Sequence, residues 1–115
     1  MLTSADSDRH MLHLLQCLPQ LPMTPQREID YPAADPALLV AVAVDAEPTM
    51  NVVHLGVGAI GQLLAGSGVD NEDGTIDAAC IESLGNLIAE LGALASGCMA
   101  LAARCRHETA DYTPR

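Results

Sequence analysis

Apolar residues recur along the chain in three blocks, each with the period of a helix. Met11, Leu14, Leu15 and Leu18 fall at i, i+3, i+4 and i+7, which is one apolar face of a helix over residues 5–18. Ser4 or Ser7 is its expected N-cap. Pro19 should stop it, because a proline nitrogen has no hydrogen to donate to the preceding turn. Met50, Val53, Val57, Ile60 and Leu64 follow at intervals of 3, 4, 3 and 4, a heptad seam. Cys80, Leu84, Leu87, Leu91, Leu94, Cys98, Leu101 and Cys105 keep the same alternation within a helix predicted over residues 75–106. At 1.5 Å per residue that helix is about 46 Å long. Ile81, Ile88, Ala95 and Ala102 form a flanking row that widens its stripe. Thr75 is the expected N-cap. Asp73 and Asp77 then sit at the positive end of the helix dipole, with Arg104, Arg106 and His107 at the negative end.

The segments between these blocks carry clear punctuation. Prolines at 19, 22, 25, 32 and 36 make residues 19–36 a linker, extended and partly polyproline II, lying over the surface or hanging free. Asp35-Pro36 is a helix start, with Asp as cap and Pro at the first helical position. Residues 38–44 suit either helix or strand; helix is preferred because no second strand is available to pair with it. Pro48 either kinks that helix or opens a new one. Gly56, Gly58 and Gly61 each lower helix propensity by about 1 kcal/mol relative to Ala, and close approach of a neighbouring helix is the expected compensation. Gly66-Ser67-Gly68 ends the run. The expected organisation is therefore all-α. An N-terminal helix (1–18) is followed by a linker (19–36), a helical hairpin (37–108) and a short tail (109–115).

The outer face of the last helix changes the picture. Gly85, Asn86, Ala89, Gly92, Ala93, Ser96 and Ala100 are small rather than charged. A helix apolar on one side and small on the other needs two neighbours. Homodimerisation into a four-helix-bundle-like assembly supplies them. The competing arrangement is a monomer in which residues 5–18 cover the second face. The expected packing or dimer interface is Leu84, Leu87, Leu91, Leu94, Cys98 and Leu101 with Val53, Val57, Ile60 and Leu64.

Composition narrows the function. The 115 residues carry a formal net charge of −10, with half of them apolar, no Phe, no Trp and two Tyr. General nucleic-acid binding is not expected on that balance, since phosphates need clustered cations and bases need aromatic platforms. Depletion of Lys, Phe, Asn and Tyr points to a GC-rich bacterial or phage genome. The acidic N-terminus lacks an apolar core of the secretory type, so the expected location is cytoplasmic, with Cys17, Cys80, Cys98 and Cys105 reduced. Residues 48–69 carry no charge, but Asn51, His54, Gln62 and five glycines dilute them. No positive flank anchors them either, so a soluble buried helix is preferred over a membrane span.

Candidate chemistry is sparse. The glycines at 56, 58 and 61 match the dinucleotide fingerprint in letters only, because no strand precedes them. Residues 69–77 resemble part of an EF-hand loop, with Val69 where the first carboxylate belongs and Cys80 where the bidentate Glu belongs. His10, His13 and Cys17 share one helical face and are the zinc candidates. Cys80, Cys98 and Cys105 on the seam read as small buried hydrophobes, and His54 as a solvated side chain. No catalytic residue and no cofactor is expected. The main expectation is a non-enzymatic homodimer acting through protein contact. An acidic inhibitor or sequestering factor is the alternative, with Asp70, Glu72, Asp73 and Asp77 meeting a basic partner. In size and charge the chain is similar to anti-CRISPR proteins and small acidic secretion chaperones, without a family motif. A zinc sensor on His10, His13 and Cys17 is the third possibility.

Overall fold

The computed structural model describes residues 9–67 and 77–113. Three α-helices account for most of them: α1 (His10–Cys17), α2 (Pro36–Ser67) and α3 (Ala78–Glu108). Short 3-10 turns, Leu18–Gln20 and Tyr31–Ala33, lie between α1 and α2. Among the described residues the only strand-like pairing is an isolated bridge between Met23 and Ile29. The architecture is an all-α helical hairpin with a short third helix laid across it.

Local chemistry accounts for the helix ends. Asp35 accepts from the Ala37 amide at 3.0 Å, and Pro36 is the first helical residue. Residues 38–44 are helical: Leu39, Val42 and Ala43 are buried, which is why the run is too apolar to show a clear period. The helix continues unbroken through Pro48, so α2 neither ends nor restarts there. The Thr49 hydroxyl donates to the Asp45 carbonyl at 2.7 Å one turn back. At the start of α3 the cap is Asp77, which accepts from the Cys80 amide at 2.8 Å, and not the expected Thr75. Thr75, Ser4 and Ser7 lie outside the described residues, as do the other residues of the EF-hand-like stretch besides Asp77.

The linker does not hang free. Leu21 and Ala34 are buried, and Ile29 and Tyr31 pack against the same cluster. Its turn is closed by the Arg27 amide donating to the Thr24 carbonyl at 2.9 Å and the Thr24 amide donating to the Glu28 carbonyl at 2.7 Å. Arg27 takes a left-handed φ of 65° to make it.

The core occupies one end of the hairpin. Leu39, Val42, Ala43 and Ala46 of α2 meet Cys98, Ala102 and Cys105 of α3, with Leu14 of α1 closing the group. Toward the loop the packing thins: Val53 is buried, but Val57, Ile60, Leu84, Ile88 and Leu91 are only half-buried. Cys80, expected on the buried seam, is exposed. The glycines also depart from expectation. A Cβ added at Gly56, Gly58 or Gly61 would meet nothing within 4 Å, so among the described residues no helix approaches them closely.

Leu39→Ala should cost about 3 kcal/mol of unfolding free energy in denaturant titration, whereas Leu55→Ala, on the exposed arm, should stay within about 0.5 kcal/mol. Gly58→Ala should raise stability by up to about 1 kcal/mol in the same assay, because open space removes the steric objection to a better helix former.

Candidate interaction surface

Three groups of side chains stand out beyond the core. The first joins α1 to α2. Asp45 is the one acid inside the apolar run at the start of α2, and it is only 7% exposed. His10 Nδ1 lies 3.0 Å from its Oδ1, and His13 Nδ1 lies 3.9 Å from the same atom. A carboxylate only accepts, so the close imidazole presents Nδ1–H to it. Burial raises the Cys17 thiol above its ordinary range, and the Asp45 charge adds to this. The zinc candidates His10 and His13 thus face a buried carboxylate. Among the described residues, however, no three His, Cys, Asp or Glu side chains converge to hold a metal ion. Asp45 was missed in the sequence, although a lone acid amid Leu38–Ala46 was the available signal.

The second group ties the base of the hairpin. Arg106 donates from its guanidinium to Glu47 Oε1 at 2.6 and 3.2 Å, across 59 residues of sequence. Arg104 reaches Glu108 at 3.7 Å and lies over the Tyr31 ring at 5.0 Å from its centroid. Burial pushes the Tyr31 hydroxyl and the Cys98 and Cys105 thiols up from their ordinary ranges. Those two cysteines are the small buried hydrophobes that the heptad pattern indicates. All four cysteines are free.

The third group is the distal arm, where α2 and α3 extend beyond the core. Leu55 and Leu63 are 72% and 73% exposed, and Leu87 and Leu94 are 49% and 45% exposed. Val52 and Ile81 are exposed as well. The seam expected from the sequence is therefore rotated. Leu84, Ile88, Leu91, Ala95, Cys98, Ala102 and Cys105 turn toward α2 or are buried, while Leu87 and Leu94 lie at the edge in solvent. On α2, Val53 is buried, Val57 and Ile60 are half-buried, and Leu64 is exposed. The small outer face of α3 is solvent-facing throughout, and so is His54. By length and composition both α2 and α3 could also cross a membrane.

Of the expected acidic surface, Asp70, Glu72 and Asp73 lie outside the described residues. Asp77 is exposed and occupied as the cap of α3. The Cys80 amide hydrogen bond holds its carboxyl below the usual carboxylate range.

Comparison of the chain with protein-family models, curated proteins and solved structures finds no match. The class defined by the structure is that of a helical hairpin with an apolar arm.

Removing the buried acceptor tests the first group. Asp45→Ala should leave the hairpin helical but speed amide hydrogen exchange across residues 10–17, since α1 loses its polar anchor. Unchanged protection there would show that Leu14 alone holds the helix.

Proposed function

We propose that the protein is a non-enzymatic helical module that acts through protein contact as a homodimer, the distal arms of two hairpins forming a four-helix arrangement. The observation that supports this most directly is the exposure of α3. Only 11% of its most apolar stretch is buried within the chain, against 39% for α2. Apolar surface left in water costs about 25 cal/mol per Å², and a contiguous patch of this kind marks an interaction site in a soluble protein. The monomeric alternative has residues 5–18 cover the second face of the hairpin; of these, the described residues 9–18 pack at its core end.

The reading places the module in the cytoplasm, where four free thiols stay reduced. A further partner with a basic surface suits the formal net charge of −10. No step of catalysis is invoked. The candidate polar group, Asp45 with His10, joins two helices and is used in doing so.

Light scattering at micromolar concentration should return about twice the chain mass. A single-chain mass across that range would remove the dimer from the proposal.

A further inference from the structure

The bond between Asp45 and His10 leaves one reactive atom unused. The carboxylate takes the hydrogen of Nδ1 at 3.0 Å, which fixes the neutral ring in the tautomer whose Nε2 carries a lone pair and no hydrogen. Among the described residues Nε2 has no hydrogen-bond partner, and the ring is partly exposed. His13 differs. Its Nδ1 stands 3.9 Å from the same oxygen, too far for a hydrogen bond, so nothing fixes its tautomer. His54 and His107 are exposed and pair with no carboxylate among the described residues. An imidazole held as His10 is held, with Nδ1–H on a carboxylate and Nε2 open, is a nucleophile whose cationic product the carboxylate stabilises.

The surroundings of the ring select the electrophile. His10 lines an open groove of about 280 Å³ together with Arg9, Leu12, Thr49 and Val52. Arg9 is exposed and makes no ion pair among the described residues. No acid among the described residues lines this groove, since Asp45 lies on the other side of the ring. A nucleophilic nitrogen beside a free guanidinium, in a groove without carboxylates, suits a group that arrives with negative charge and has oxygens to accept the guanidinium hydrogens.

We propose that His10 is a phosphoryl-acceptor site. Its Nε2 takes a phosphoryl group from a P–N donor, of the class of a phosphorylated imidazole on a partner protein. Arg9 pairs with the transferred group, and Asp45 is the positioning residue. In the transfer the Nε2 lone pair forms the new N–P bond while the donor's N–P bond breaks, and the departing ring keeps that electron pair. A donor ring protonated at its other nitrogen leaves as neutral imidazole. His10 retains its Nδ1 hydrogen and becomes a cationic ring against the Asp45 carboxylate, so no proton has to move. The site goes beyond the contact reading above and does not depend on the dimer.

Inorganic phosphoramidate supplies the same P–N bond and serves as the probe, on the full chain at mildly alkaline pH, followed by phosphorus NMR. The four histidines compete within one molecule. Phosphoryl should appear on Nε2 of His10 about ten times faster than on His13, His54 or His107, because a hydrogen bond to a charged group is stronger than a neutral one by roughly the energy of one decade in rate. His10→Gln should remove the fast phase and His13→Gln should keep it. Arg9→Gln should slow it. Asp45→Asn keeps an acceptor without the charge, so it should bring His10 down to the rate of His54 while amide exchange across residues 10–17 stays slow. If that variant also loosens α1, the comparison among the four histidines of the wild-type chain decides. Equal rates at all four, a faster reaction at another histidine, or phosphoryl on Nδ1 of His10 would overturn the proposal.

Discussion

Everything in this structure depends on the contact between α2 and α3 at the core end of the hairpin. There Leu39, Val42, Ala43 and Ala46 meet Cys98, Ala102 and Cys105, all at most 5% exposed. With no Phe or Trp in the chain, the group is built from small and medium side chains. Such residues let two helices approach closely but give each contact little area, so one short seam cannot stabilise long helices by itself. The chain adds α1 and the folded linker to that end. Leu14, Leu21 and Ala34 enter the same cluster. Polar ties surround it: His10 to Asp45, Arg106 to Glu47 and Arg104 to Tyr31.

These reinforcements stop halfway along the hairpin, and the division has consequences. The core end has its buried side chains satisfied; no buried side-chain nitrogen or oxygen among the described residues lacks a partner. The arm carries the same heptad chemistry without the third layer. Its glycines face open space, and Leu55, Leu63, Leu87 and Leu94 lie in water. The proposed second copy supplies there what α1 supplies at the core end.

The buried Asp45 shows how polar groups contribute to this arrangement. An acid at the α1–α2 interface is costly to desolvate unless something donates to it. His10 does so at 3.0 Å, and the pair fixes α1 at one place along α2. The position of α1 in turn decides where the covered end of the hairpin stops and the open arm begins. His10 and His13, singled out with Cys17 by their shared helical face, are therefore neighbours of one structural carboxylate.

Much of the fold was legible from the residues alone. The 3.6-residue period, the Asp35-Pro36 start and the apolar row of α1 specify all three helices, because these signals are local and depend on backbone chemistry within a turn or two. Residues 38–44 were ambiguous for a related reason: a segment buried on several sides loses its period. The cap of α3 lies two residues beyond the expected Thr75, since Thr75 and Asp77 are both competent side chains and only the backbone geometry selects one. The rotation of the α3 seam, the exposure of Leu87, Leu94 and Cys80, and the pairing of Asp45 were not legible. Each depends on where a second helix lies, and a heptad pattern gives a stripe too wide to say which of its edges faces the partner. The sequence by itself determined the helices and the surplus of apolar surface. Only the tertiary structure decided that the surplus collects on one arm, because the described part of α1 packs at the core end.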